Sequence, residues 1–315
     1  MSNEFETISK FFKPIEKYGD QKQFIVGQGD DCAVIRPSTY PLAISIDTQV
    51  ESIHFFSDME PGAIAHRGLC SALSDLAAMG AEPAFFTLAL SIPKHINDTW
   101  LAAYSRQLAN LANQYGISLI GGDTTSSPTL VQTFQVHGYL YQKPLTRSEA
   151  KPGDLIVVTG TLGDAALAVK KISEQQEVHP DLLSAYNAPL PRFDISRIIA
   201  NKASACIDIS DGLIADLGHI CEQSQCGANL YLDQLPLSAA FKNEKMTSNL
   251  SYQFSAAGGD DYQLCFTIAE AEWETLPKQA IPLTVVGQIT SDTQVNCYDK
   301  YGNPIQLQQT GFQHR

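Results

Sequence analysis

Residues 63–80 read AIAHRGLCSALSDLAAMG, and residues 81–92 continue as AEPAFFTLALSI. The first stretch has the apolar content and length of a helix from Ala63 to Met79, closed by Gly80. The second carries an apolar run of strand length, Phe85 to Ile92. A helix running into a strand is the signature of layered α/β structure, and the pattern recurs in both directions along the chain. Upstream, Leu42 to Ile46 is a short apolar run, expected as a buried strand ending at Asp47, and Phe5, Ile8, Phe12 and Ile15 recur at helical spacing. Downstream, Asp98 is expected to cap a helix from about Thr99 to Tyr115, with Gly116 past its end. Ile117 to Ile120 is expected as a strand, followed by Gly-Gly-Asp-Thr-Thr, and Leu130 to Tyr141 as a long strand.

A polar stretch, Lys143 to Gly153, carries Pro144, Pro152 and Gly153 and sets the expected domain boundary, with domains 1–145 and 146–315. The pattern then restarts. Strands are expected over Leu155–Val158, Ala205–Ile209, Tyr262–Ile268, Leu283–Ile289 and Val295–Tyr298. Helices are expected from Ala165, over Phe193–Ala200 and over Leu213–Gln223. The expected class is α/β or α+β in two domains, which agrees with a length of 315 residues.

The chain has 34 acidic and 21 basic residues, a net charge of −13. Such a chain is a poor partner for nucleic acid or an anionic membrane surface, so neither is expected. The apolar stretch Leu76 to Ile92 is interrupted by Gly80, Glu82 and Pro83 and does not read as a membrane span. The seven scattered cysteines include no CxxC pair, and the N-terminus lacks the charged and apolar regions of a signal peptide, so the expected location is cytoplasmic. Cys32, beside Ala33-Val34-Ile35, is expected to be buried.

Familiar catalytic motifs are missing: no GxxxxGK[ST], no GxGxxG between a strand and a helix, no GxSxG and no HExxH. Instead, aspartates recur at expected strand ends or beside glycines: Asp30, Asp31, Asp47, Asp75, Asp123, Asp208, Asp211, Asp260 and Asp261. Singly, each reads equally well as turn or cap chemistry. Asp75 is the exception, because a carboxylate inside an apolar helix is costly unless paired or metal-bound. As a set without Cys or His clusters, hard oxygen donors favour Mg2+ over zinc. Mg2+ also lets an acidic protein hold a polyphosphate, and Gly121 and Gly122 permit close approach of backbone amides to phosphate.

These motifs, taken in order, resemble thiamine-monophosphate kinases of the aminoimidazole ribonucleotide synthetase superfamily. The resemblance rests on Gly29-Asp30-Asp31, Asp47 with His54-Phe55, Ser74 to Ala81, Gly121 to Thr125, Thr146-Arg147, Asp208 to Leu213 and Gly258 to Tyr262. It implies an N-terminal α/β domain that pairs into a dimer-wide barrel, a C-terminal ferredoxin-like α/β domain and a homodimer. It implies ATP-dependent phosphorylation of thiamine monophosphate with several Mg2+ ions. The implied Mg2+ ligands are Asp30, Ser45, the Ile46 carbonyl, Asp47, Asp75, Asp123, Asp208 and Asp211. Implied ATP contacts are Tyr104, Gly121, Gly122, Arg147 and Ser210, and implied substrate contacts are His54, Asp260 and Phe312. The chain departs from the family pattern at Asp260, where Glu is usual, and at Ile46, where Thr is common. Open alternatives are another ATP-using superfamily member, such as aminoimidazole ribonucleotide or selenophosphate synthetase, and a non-catalytic sensor of thiamine phosphates or nucleotides.

Overall fold

The computed structural model describes residues 4–277 and 282–312. The chain divides into two compact units, Met1–Leu76 with Ala81–Tyr141, and Ala77–Gly80 with Gln142–Arg315. Each is built on its own sheet, as the alternation of strand and helix patterns predicts.

The first unit opens with α1 (Glu4–Thr7), whose course continues as a π turn over Ile8–Phe12 and a 3-10 turn over Lys13–Tyr18. Pro14 has no N–H to donate, so this run departs from regular α geometry. A two-stranded ribbon of β1 (Phe24–Val26) and β2 (Val34–Ile35) follows. Then come β3 (Leu42–Val50), α2 (Pro61–Ala78), β4 (Glu82–Ile92), α3 (Asp98–Tyr115), β5 (Ser118–Ser126) and β6 (Val131–Tyr139). The sheet order is β3-β6-β4-β5, antiparallel except for the β4–β5 pair.

Three sequence expectations are corrected here. β3 does not end at Asp47 but runs on to Val50, and it is not buried on both faces: Leu42, Ile44 and Ile46 are 43%, 56% and 63% exposed. Alternation sends Ala43, Ser45, Asp47 and Gln49 to the opposite face, where α2 lies. The strand expected to end at Ile120 runs on through Gly121-Gly122-Asp123 to Ser126 as β5. Asn97, not Asp98, caps α3, accepting the Trp100 N–H at 3.0 Å; Asp98 is a first-turn acid paired with Lys10.

The second unit contains β7 (Leu155–Thr159), α4 (Asp164–Ser173), α5 (Pro180–Asn187), α6 (Phe193–Ile199), β8 (Ala203–Asp208), α7 (Leu213–Ser224) and β9 (Gly227–Tyr231). It continues with α8 (Ala239–Asn243), α9 (Ser248–Ala257), β10 (Leu264–Ile268), α10 (Glu270–Trp273), β11 (Leu283–Thr290) and β12 (Val295–Tyr298). Six strands lie in the order β12-β9-β11-β7-β10-β8. Alternate residues enter two separate cores: Ile156, Val158, Ile207 and Cys265 in one, Val157, Cys206, Leu264 and Phe266 in the other. Both faces of the central strands are therefore covered, which accounts for their unbroken apolar runs. β10 runs antiparallel to both β7 and β8, so the ends of β7 and β8 and the start of β10 share one end of the sheet. Tyr262 falls outside β10, in the turn before it, with φ +49°. Six of the seven cysteines are buried free thiols, but Cys32 is exposed, because the ribbon it belongs to leaves its turn uncovered. Among the described residues no helix is long and apolar enough to cross a membrane.

Candidate active site

In the first unit, strand and helix spacings match. Two residues of β3 span about 6.8 Å and four residues of α2 about 6 Å, so Ser45 and Asp47 can meet Asp75 and Ser71 in turn. Ser45 Oγ donates to Asp75 Oδ2 at 2.5 Å, and Ser71 Oγ donates to Asp47 Oδ2 at 2.8 Å. Asp75 is thus half-buried and hydrogen-bonded, which resolves the cost of a carboxylate in an apolar helix. Ile46 stands between them, opposite Gln135, with its side chain on the outer face.

Asp47 also sits at the end of a buried polar chain. Tyr104 Oη donates to Gln132 Oε1 at 2.7 Å, Gln132 Nε2 to Gln49 Oε1 at 3.1 Å, and Gln49 Nε2 to Ser71 Oγ at 2.9 Å. Tyr104, expected to contact ATP, is instead fully buried, stacked on Trp100 and bonded to Gln132, so in this chain it supports Asp47 from beneath rather than offering a surface to a nucleotide. Burial alone pushes its phenol well above the usual range. The Gln49, Ser71 and Gln132 members of this chain escape sequence reading, since a buried glutamine among strand residues has no local signature.

His54 lies in the turn after β3, where its Nδ1 accepts the Val50 N–H at 3.0 Å. That bond assigns the ring proton to Nε2, a donor suited to an anionic group. Asp30 is exposed in the turn between β1 and β2. Asp123 is exposed on β5, an edge strand, opposite Ala89. Gly122, just before it, answers a packing demand: a Cβ there would lie 1.9 Å from the Leu88 carbonyl oxygen, next to a register shift in the β4–β5 ladder.

In the second unit, the structure gathers Ser210, Asp211, Asp260 and Phe312. Asp208 ends β8 and is buried. In the following turn Ser210 O accepts the Asp260 N–H and Asp211 O accepts the Phe312 N–H, each at 2.9 Å. The Phe312 ring is half exposed. Asp260 adopts φ +70°, a conformation costly for a residue with a Cβ, and Tyr262 Oη donates to its carboxylate at 3.2 Å. Arg147 lies outside this group, in the segment before β7, where its carbonyl accepts from Ser224 Oγ at 2.7 Å.

Two further carboxylates fix the loops at this end of the sheet. Asp216 Oδ2 accepts from the backbone N–H groups of Ser210, Asp211 and Gly212 at 3.0, 3.1 and 3.1 Å. Burial, then the Asp211 charge, pushes its carboxyl up to about 7 against the pull of those amides. Asp261 accepts the Gly163 N–H with both oxygens, at 2.9 and 3.1 Å. Burial drives its carboxyl well above the usual range, the Gly163 amide opposes this, and Asp164, Asp260 and Asp216 add to it. Sequence reading passed over Asp216, although an acid in the first turn of a helix that follows Ser-Asp-Gly is a recognisable signal for capping.

The donors of the expected cation site are all oxygens, carboxylate and hydroxyl, which suits Mg2+. Among the described residues no three His, Cys, Asp or Glu side chains draw into one metal-sized group. The Ser45–Asp75 and Ser71–Asp47 pairs are the part of the set that the first unit brings together.

Residues 29–140 match the AIR synthase related protein, N-terminal domain, and residues 151–300 match the AIR synthase related protein, C-terminal domain. The thiamine-monophosphate kinase of Salmonella typhimurium is 40% identical, over 99% of this chain and 98% of its own length. The crystal structure of thiamine-monophosphate kinase from Stenotrophomonas maltophilia K279a is 36% identical with a TM-score of 0.82, covering 88% of this chain and 92% of that one. A structure of AaThiL complexed with AMPPCP and TMP is 25% identical with a TM-score of 0.78, covering 91% of each chain. Similarity that runs nearly end to end, through both matched domains and the sheets described above, shows that this chain belongs to the thiamine-monophosphate kinase family of enzymes.

Proposed function

We propose that the protein transfers the γ-phosphoryl group of ATP to thiamine monophosphate, yielding thiamine diphosphate and ADP, by one direct in-line step. The observation that carries this reading is the end-to-end similarity to thiamine-monophosphate kinases, joined to a relative complexed with AMPPCP and TMP.

In this reading Asp30, Ser45, the Ile46 carbonyl, Asp47, Asp75, Asp123, Asp208 and Asp211 would hold Mg2+. When bound, Mg2+ would shield the two anionic phosphates from each other and offset the charge that develops during transfer. The Ser45 and Ser71 hydroxyls keep the Asp75 and Asp47 carboxylates in one orientation before any ligand arrives, which lowers the reorganisation that binding demands. Gly121, Gly122, Arg147 and Ser210 contact the nucleotide, and Tyr104 buttresses Asp47 through Gln132, Gln49 and Ser71. His54, Asp260 and Phe312 receive the acceptor, with the aromatic ring of Phe312 facing a cationic heterocycle. The attacking phosphate oxygen is already ionised near neutral pH, so no strong general base is needed.

Residues 1–145 act as the ATP- and Mg2+-binding and dimerisation domain, and residues 146–315 as the C-terminal domain of the superfamily. The exposed Leu42, Ile44 and Ile46 face of β3 supports pairing into a dimer-wide barrel, because an apolar sheet face of this kind is stabilised when covered. Six buried free thiols fit a cytoplasmic setting. The deciding experiment is a coupled assay with ATP and thiamine monophosphate, using thiamine as the control acceptor. Formation of ADP only with thiamine monophosphate is expected. Turnover with thiamine alone, or none with either, would refute the assignment.

A further inference from the structure

The turn from Ile209 to Gly212 directs its backbone groups to two sets of partners. The N–H groups of Ser210, Asp211 and Gly212 all donate to a single oxygen, Asp216 Oδ2. The carbonyls of Ile209, Ser210 and Asp211 accept from the backbone N–H groups of Tyr262, Asp260 and Phe312, at 2.8, 2.9 and 2.9 Å. Three consecutive amides curled around one anion form a nest, a geometry that elsewhere binds phosphate. Here the protein fills the nest with its own side chain, which is only 3% exposed. Gly212 makes the curl possible: its φ is +119°, and a Cβ there would lie 2.8 Å from the Ala257 backbone.

Each peptide unit is planar, so the direction of an amide sets the direction of the carbonyl before it. Gathering the amides of residues 210–212 onto Asp216 therefore orients the carbonyls of residues 209–211. Those carbonyls hold the backbone at Tyr262, Asp260 and Phe312. We infer that Asp216 is a positioning residue for the acceptor: through this turn it sets the placement of Asp260 and Phe312, and so the affinity for a phosphorylated, cationic heterocycle. The inference rests on the phosphotransfer reading above, since it takes Asp260 and Phe312 as the acceptor contacts. Asp216 itself touches neither substrate.

The role separates from a merely structural one by what its loss changes. Without the Asp216 acceptor three amides, that of Gly212 buried and those of Ser210 and Asp211 partly so, lose their partner, and the turn relaxes toward other partners or water. Asp154 is the structural comparison. It is similarly buried and accepts from the Lys151 N–H and Ser204 Oγ, but at the opposite end of the sheet.

The test measures steady-state kinetics and direct binding of thiamine monophosphate by calorimetry for the full chain and for Asp216→Ala, Asp216→Asn and Asp154→Asn. Asp216→Ala is expected to raise KM and Kd for thiamine monophosphate at least tenfold, with a smaller change in kcat. Asp216→Asn keeps one acceptor oxygen and is expected to recover much of that loss. Asp154→Asn is expected to lower the unfolding temperature while leaving KM within twofold. If Asp216→Ala does not fold, Asp216→Asn alone decides, with a threefold or greater rise in KM expected. A folded Asp216→Ala with KM and Kd unchanged, an unchanged Asp216→Asn where that variant alone decides, or a KM rise in Asp154→Asn equal to that in Asp216→Ala, would overturn the inference. Failure of the unaltered chain to use thiamine monophosphate would overturn the phosphotransfer reading and this inference with it, and it is recognisable because it appears before any substitution.

Discussion

Ser45 and Asp75 meet between β3 and α2, the Ser45 hydroxyl donating to one carboxylate oxygen at 2.5 Å. Asp47 and Ser71 repeat the arrangement one step along, at 2.8 Å. Each of the two carboxylates is thereby held by a hydroxyl from the neighbouring element. Asp75→Asn and Asp47→Asn are each expected to reduce turnover by a factor of a hundred or more, because an amide is a poorer Mg2+ ligand than a carboxylate. Neither should unfold the protein, and its thermal stability without Mg2+ should be unchanged or slightly higher as like charges are removed. Turnover within tenfold of normal in a folded variant would exclude that residue from the site.

The outer face of β3 makes a separate prediction. Leu42, Ile44 and Ile46 alternate on it and are all exposed in the single chain. The protein is expected to sediment as a homodimer at micromolar concentration. Ile44→Glu is expected to weaken dimerisation at least a hundredfold while the circular dichroism spectrum is retained, since it places a charge on the face to be buried. A monomeric unaltered chain would count against the pairing.

Direct transfer has a stereochemical readout. With ATP made chiral at the γ-phosphorus, one in-line displacement inverts the configuration and two restore it. Inversion is expected, because donor and acceptor brought together in one site need no covalent relay. Retention, or label left on the protein after incubation with γ-labelled ATP alone, would implicate one of the aspartates as a nucleophile.

The Asp216 carboxyl titrates near 7 in the folded protein, against about 3.9 for an unfolded aspartate. Between those values the folded state keeps a proton that the unfolded state has released. The contribution of this group to stability is therefore full below about pH 4 and falls as the pH rises toward 7. The slope is up to about 1.4 kcal/mol per pH unit. Asp261 acts in the same direction. In Mg2+-free buffer, urea unfolding at pH 5 and pH 7 should show a smaller loss with rising pH in Asp216→Asn than in the unaltered chain. Equal losses would mean that the Asp216 side chain is ionised throughout.

The sequence alone determined the mixed α/β class and most of the element order. Helix α2 follows from the apolar content of residues 63–79 and the stop at Gly80, which has φ +76°. Helix α3 follows from its end at Gly116, a left-handed cap. These are local signals, carried by periodicity and by single residues with special backbone preferences. Other elements lack them: β9 reads Gly-Ala-Asn-Leu-Tyr with no continuous apolar run, and α8 and α9 carry polar and apolar residues without a marked stripe, so the apolar pattern does not mark them.

Only the tertiary structure decided which faces are covered and which polar groups meet. Leu42 to Ile46 is apolar, and nothing local says that one of its faces stays open within a single chain. Cys32 has apolar neighbours in sequence yet is exposed, because its ribbon leaves the turn uncovered. Asp123 and its glycines lie in a strand because β4 supplies the ladder they join. The Tyr104–Gln132–Gln49–Ser71–Asp47 chain joins residues up to 83 positions apart at a single bond. Likewise Asp260 and Phe312 come beside Ser210 and Asp211 through backbone bonds to the same 209–212 turn whose amides face Asp216. Burial and hydrogen-bond partnership are set by segments distant in sequence, so the residue types in this site were legible from the chain while their geometry was not.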